Sequence, residues 1–109
     1  MNNKLCGLLG MARRSRHILI GFDAVRAALL AKKTRLVLLA SDCSPKTEKE
    51  LRFAAQNTTC PIHAVDVTKD EMAAALGLQK PVAVTATDDV GFAKAMMKHS
   101  TDTKEDVAL

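Results

Sequence analysis

Residues Leu36 to Ala40 constrain the fold most, because five apolar side chains follow one another without a polar break. A strand with one face in water alternates apolar and polar residues, whereas a strand covered on both faces is apolar throughout. The segment therefore predicts a central strand with helices packed on both of its faces. The other elements must supply those two helical layers.

Helical and extended segments alternate along the rest of the chain. Helical spacing and capping signals predict five helices, at residues 3–12, 22–31, 45–56 and 69–76 and after Asp88 or Asp89. Short apolar runs predict four strands, at residues 17–20, 36–40, 62–65 and 82–87. Two helix starts carry specific signals: Ser44 precedes Pro45, and Thr68 stands three residues before Glu71 in a capping box. This alternation favours a mostly parallel sheet between helical layers.

The chain of 109 residues has the length of one domain, which we assign to residues 1–98. From His99 onward Ser, Thr, Asp, Lys and Glu dominate, so residues 99–109 are interpreted as a disordered polar tail. Removal of that tail is expected to leave thermal stability almost unchanged. The apolar run from Leu5 to Ala12 is too short to span a bilayer, and its arginines follow it instead of preceding it. We therefore expect a cytoplasmic protein with no membrane contact. We also expect this protein to be a monomer.

Charge is divided unevenly along the sequence. Residues 1–35 hold eight basic side chains against Asp23 alone, a net charge of +7, whereas residues 36–109 hold eight basic and eleven acidic ones, a net charge of −3. A positive field over part of the surface attracts phosphate groups, although a solvated basic surface without a partner is the alternative. Three phenylalanines with no tyrosine or tryptophan argue against a protein that stacks bases on its sheet face.

Signals for catalysis are weak. The cysteines, Cys6, Cys43 and Cys60, show no C-x-x-C spacing, and we interpret them as reduced residues in or near the core. Asp42 and Asp88 each follow a strand, where ligands of open α/β sheets gather, so a regulatory or small-molecule-binding domain is the alternative function. The same aspartates stand where helix starts need caps, and no glycine-rich phosphate loop is present. We therefore expect a protein that is not an enzyme and uses neither metal nor cofactor.

A series of motifs spans residues 5–98 in a fixed order. They are Leu8-Leu9-Gly10-Met11-Ala12-Arg13-Arg14, Gly21 at a helix start, Leu36 to Asp42, Val84 to Asp88, and Gly91-Phe92-Ala93-Lys94. Together they resemble the bacterial YlxQ-like branch of the ribosomal L-seven-Ae / L-thirty-e RNA-binding superfamily. The resemblance implies an α/β fold, a three-layer α-β-α sandwich with a four-stranded mixed, mostly parallel sheet. It also implies a non-catalytic protein that binds structured RNA, ribosomal or other, either free or associated with the ribosome.

Members of that superfamily that bind kink-turn RNA use two surfaces, the start of the helix after the first strand and the loop before the last strand. Carried over by position, the first surface is Gly21, Phe22, Asp23, Ala24 and Ala27, and the second is Leu78, Gln79, Lys80, Pro81 and Val82. In the fold that the resemblance implies, the two surfaces lie side by side. Asp23 stands where the family pattern has asparagine, and Ala24 and Ala27 replace a glutamate and a lysine. Alanine can neither accept a hydrogen bond from a guanine edge nor contact phosphate, so the groups that read sheared G·A pairs are missing.

Residue chemistry also gives the helix start a role in binding phosphate. Gly21 lets the backbone approach a ligand closely, and amides at a helix N-terminus favour an anion, although Asp23 opposes one. The basic residues expected to surround this start or its neighbouring edge are Arg13, Arg14, Arg16, Arg26, Lys32, Lys33 and Arg35. The helix after Pro45 alternates acidic and basic residues, and its Lys46, Lys49 and Arg52 are interpreted as an ordinary solvated face.

Overall fold

A computed structural model describes residues 2–100 of the chain. It contains five helices: α1 (Asn3–Arg14), α2 (Phe22–Leu30), α3 (Pro45–Ala54), α4 (Lys69–Ala75) and α5 (Val90–Lys98). It contains four strands: β1 (Ile18–Ile20), β2 (Leu36–Leu39), β3 (Ile62–Ala64) and β4 (Val84–Thr87). Every predicted element is present in the predicted order, with its ends within two residues of the prediction.

The four strands form one mixed sheet in the order β1-β4-β2-β3. The mixed sheet is confirmed, but the expectation of mostly parallel pairing is wrong, because only β2 and β3 are parallel and β4 is antiparallel to both neighbours. The connection before β4 gives the reason. The Val82 N–H donates to the Lys69 carbonyl at 3.1 Å, so the chain has returned to the start of α4 before β4 begins. The strand then runs back in the reverse direction.

Two separate cores confirm the three-layer sandwich. Leu36 and Leu38 point to one face of the sheet, where they pack with α1, α4 and α5. Val37 and Leu39 point to the other face, where they pack with α2 and α3. All four residues of β2 are fully buried, and each contributes about 1.5–3 kcal/mol of burial free energy.

Three helices end in the same left-handed turn. The residue in the left-handed region is Arg16 after α1 (φ 63°), Lys32 after α2 (φ 59°) and Gly77 after α4 (φ 74°). In each turn the next amide donates to a carbonyl five residues back: His17 to Ala12, Lys33 to Ala28 and Leu78 to Ala73. This is the Schellman motif, in which glycine is the usual residue because it has no Cβ. Two of the three turns therefore hold a cation where glycine is more stable.

The described chain is packed to its end at Ser100. The Ser100 side chain is 2% exposed, and its hydroxyl lies 3.2 Å from Nδ1 of His63. The side chain of Asn2 donates to the His99 carbonyl. His99 and Ser100 therefore contact the folded domain, and the boundary of the tail stays a prediction. Residues 101–109 of that tail lie outside the described residues. Within residues 2–100 no helix has the length and apolarity needed to cross a bilayer.

Candidate functional site

Helix α2 begins without a side-chain cap. Gly21 occupies the capping position with φ 95° and ψ 160°, and no side chain accepts a hydrogen bond from the amides that follow it. A Cβ on Gly21 would meet no atom within 4 Å, so the backbone conformation, and not packing, requires glycine here. The first-turn amides and the positive end of the helix dipole therefore stand at an open surface.

The loop before β4 lies beside that helix start. The Gly21 N–H donates to the Val84 carbonyl at 2.9 Å, and Val84 is three residues after Pro81. Leu78 is half-buried against the core, while the side chains of Gln79, Lys80 and Pro81 are exposed. The structure thus brings together the two segments that the resemblance indicated. We call residues Gly21–Asp23 and Leu78–Pro81 the loop–helix surface.

Arg13 and Arg14 lie next to the beginning of that loop. The Arg13 guanidinium donates to the carbonyl of Leu76, the residue that caps the C-terminus of α4. Both arginines are exposed and line a cavity of about 520 Å³ with Gly77 and residues of α4. The C-terminus of a helix carries partial negative charge, which holds Arg13 in place. These two arginines therefore add positive charge beside the loop–helix surface.

The other basic residues lie at the opposite end of the sheet. Arg16 precedes β1, and three more, Lys32, Lys33 and Arg35, precede β2. Both strands run antiparallel to β4, so they start at the same end, and the Arg35 N–H donates to the Thr87 carbonyl at 2.8 Å. We call these four residues the basic end. The nine residues of α2 place this end roughly 14 Å from Gly21. The structure therefore places these four residues away from the helix start, and their contact with RNA stays a prediction.

Arg26 occupies a third position, on the side of α2 that faces α3. It lines a groove of about 420 Å³ with Lys46, Lys49, Glu50 and Phe53. Arg52 matches the solvated face that the sequence predicts, since its Nε lies 2.9 Å from Glu48 Oε2. Lys46 and Lys49 are exposed, as the sequence predicts, and they also line this groove with Phe53. Lys46, Lys49 and Phe53 stand at positions i, i+3 and i+7 of α3. This spacing places the three side chains on one side of the helix, so it could have indicated the groove from the sequence.

Asp42 and Asp88 do not form a joint site. The Asp42 carboxylate accepts the Lys69 N–H at 2.8 Å, near the end of β2. Asp88 lies 3.1 Å from Nδ1 of His17, at the end of β4. Because β2 and β4 are antiparallel, these two ends are on opposite edges of the sheet. Among residues 2–100 no group of three metal-ligating side chains converges.

The cysteines are free and half-buried, as predicted. Burial is the main cause that raises the thiol pKa of Cys6, Cys43 and Cys60 above its ordinary value. A raised pKa lowers the thiolate fraction at neutral pH, and the thiolate is the reactive form. None of the three thiols is therefore activated as a nucleophile.

Comparison with known sequences identifies relatives along nearly the whole chain. The model of the ribosomal protein L7Ae/L30e/S12e/Gadd45 family matches residues 3–97. The RNA-binding protein YlxQ of Bacillus subtilis (strain 168) is 32% identical over 93 residues, which cover 83% of this chain and 88% of that protein.

Solved structures share this fold. A protein of unknown function from Bacillus halodurans C superposes with a TM-score of 0.82 at 28% identity, covering 91% of this chain and 98% of that one. The Giardia lamblia 15.5kD RNA binding protein superposes with a TM-score of 0.73 at 16% identity, covering 98% of this chain and 88% of that one, which shows the shared fold. From the motifs, the α-β-α sandwich and these matches, the chain belongs to the ribosomal protein L7Ae/L30e/S12e/Gadd45 family.

Proposed function

We propose that this protein binds structured RNA without catalysing a reaction, and that the loop–helix surface makes the principal contact. Membership of the family and similarity to an RNA-binding relative support this function. The observation that carries it is the hydrogen bond from Gly21 to Val84, which holds an uncapped helix start beside an exposed loop.

The chemistry of this surface suits a folded RNA. The free amides of α2 and its dipole favour a phosphate, and Lys80 adds a cation on the loop. Leu78 and Pro81 present apolar groups, which can contact a base only where that base is unstacked. The surface therefore binds an RNA that brings a backbone bend and an unstacked base together.

Recognition rests on backbone and shape more than on base edges. Ala24 and Ala27 are exposed on α2 and offer no hydrogen-bonding side chain to a base. Phosphate contacts position an RNA but carry little sequence information. The RNA of this protein is thus defined by its fold, and Ala24 and Ala27 disfavour recognition of a kink-turn through its G·A pairs.

The basic end supplies a second set of phosphate contacts that strengthens binding. Four cations concentrate there, opposed by Asp88, which pairs with His17. The protein acts in the cytoplasm as a monomer, on ribosomal or other folded RNA, and needs neither metal nor cofactor for binding.

Binding to a folded RNA measured by fluorescence anisotropy tests this function. Affinity should fall steeply with salt, with a log–log slope of roughly −0.7 to −0.9 for each phosphate contact. Charge reversal of Arg14 and Lys80 to glutamate should weaken binding about tenfold for RNAs of different sequence, which is about 1.4 kcal/mol.

Charge reversal of Lys4 and Lys98 to glutamate is the matched control, since both lysines are exposed and line a separate groove between α1 and α5. A flat salt dependence would refute the function itself. Equal weakening by the control pair would refute the assigned surface. Circular dichroism of each variant separates loss of binding from loss of fold.

A further inference from the structure

The groove between α2 and α3 combines positive charge with an exposed aromatic ring. Arg26, Lys46 and Lys49 line it against a single carboxylate, Glu50. Phe53 is 70% exposed, more than any other large apolar side chain in residues 2–100. Cations beside a free aromatic face are the two features that single-stranded nucleic acid binds.

The packing of the fold does not explain this arrangement. Helix α3 buries Leu51 and Ala54 against the sheet, and Phe53 lies outside that buried face. Within the described residues Arg26, Lys46 and Lys49 make no ion pair, whereas Arg52 on the same helix is paired with Glu48. The groove therefore keeps its cations and its ring available to a partner.

We propose that this groove binds a single-stranded stretch of RNA, with one base stacked on Phe53 and the adjoining phosphates paired with Arg26, Lys46 and Lys49. The proposal rests on the proposed function, because the strand is an extension of the same RNA. Only an unpaired base offers its face to an aromatic side chain.

The groove continues the loop–helix surface. Arg26 is five residues after Gly21, which corresponds to about 7.5 Å along the helix axis. Phe22 and Arg26 are four residues apart and share one stripe of α2, which leads from the helix start toward α3. A strand that leaves a folded RNA at Gly21 therefore reaches Phe53 without crossing the sheet.

Two labelled probes test the proposal: a hairpin RNA with blunt ends, and the same hairpin carrying an oligouridylate extension of about ten nucleotides. The extension should tighten binding to the wild-type protein. Phe53→Ala should weaken binding of the extended hairpin about tenfold, since stacking of one base on an aromatic ring contributes a free energy of this size. Affinity for the blunt hairpin should not change. Leu30→Ala is the matched control, because Leu30 is also an exposed apolar residue, on α2.

Two further variants distinguish stacking from apolar contact. Phe53→Leu should behave like Phe53→Ala if a base stacks on the ring, whereas retained affinity would overturn stacking. The chain has no tryptophan, so Phe53→Trp introduces a single fluorophore whose emission should be quenched by the extended hairpin and not by the blunt one.

The outcomes separate this proposal from the proposed function. If both hairpins bind equally well, the groove does not hold RNA, and the function at the loop–helix surface stands. If neither hairpin binds, both proposals fail. If the Phe53 variants lose a protein partner while both hairpins bind as before, the groove is a protein-binding site and the proposal is wrong.

Discussion

The two ends of the sheet differ in how they present themselves to a ligand. The loop–helix surface has few charges, and its character comes from backbone: an uncapped helix start held by Gly21 and a loop that follows Gly77. The basic end has four exposed cations, and its character comes from their charge. The Schellman turn that precedes the loop of the loop–helix surface has Gly77 in its left-handed position. The Schellman turns at the basic end have Arg16 and Lys32 in that position. Selectivity among RNAs requires a fixed shape, whereas affinity for RNA in general requires charge.

The largest expected effect is on the backbone of the loop–helix surface. Gly21→Ala should lower the free energy of unfolding by about 2–3 kcal/mol, because φ 95° with ψ 160° is a region that only glycine occupies at low cost. Chemical denaturation measures the change. Gly7→Ala is the control, since Gly7 is an exposed helical residue with open space around it. Equal or greater stability of Gly21→Ala would show that the helix start is not held in this conformation.

Charge at the basic end should act on affinity for every RNA. Reversal of Lys32 and Lys33 to glutamate is expected to weaken binding about tenfold, or 1.4 kcal/mol, and to reduce the salt slope by roughly 0.7–0.9 for each phosphate that is no longer neutralised. Salt titrations with two folded RNAs of unrelated sequence measure both quantities. A weakening confined to one RNA would show that the basic end contributes to selectivity as well as to affinity.

Replacing Lys32, a basic residue in the left-handed region, should raise the stability of the fold and lower the affinity for RNA. Lys32→Gly should stabilise the fold by about 0.5–1 kcal/mol, because glycine removes the Cβ clash at φ 59° and this gain exceeds the added entropy of the unfolded chain. It should weaken RNA binding as Lys33→Gly does. Lys33→Gly is the control, because it removes the same charge and should not stabilise the protein. Thermal melts and anisotropy give the two readouts.

The smallest effect should be a change of preference among RNA shapes. Leu78→Ser is expected to alter the ratio of affinities for two differently folded RNAs by a few-fold, because an apolar contact to one unstacked base contributes about 1 kcal/mol. The salt slope should stay the same. A changed slope with an unchanged ratio would mean that this loop contributes charge and not shape.

The local features of the fold followed from the sequence because their signals lie within a few residues. The Ser44 hydroxyl accepts the Thr47 N–H at 3.2 Å, and Thr68 and Glu71 form the reciprocal bonds of a capping box. The uninterrupted apolar run of β2 predicted a strand buried on both faces. The resemblance implied the two surfaces of the loop–helix site and their position side by side, and the structure added the hydrogen bond from Gly21 to Val84 that joins them.

The direction of β4 was decided only by the tertiary structure. The composition of a four-residue strand allows pairing in either direction, and its orientation depends on where the preceding connection returns the chain. The antiparallel direction of β4 places Asp42 and Asp88 at opposite edges of the sheet. It also places the loop before β4 beside the start of α2. The packing of α2 on α3 likewise brought Arg26 to Lys49 and Phe53. The sequence determined which elements form, because caps and periodicity act over one or two turns. The tertiary structure decided which side chains meet, because those contacts join residues far apart in the chain.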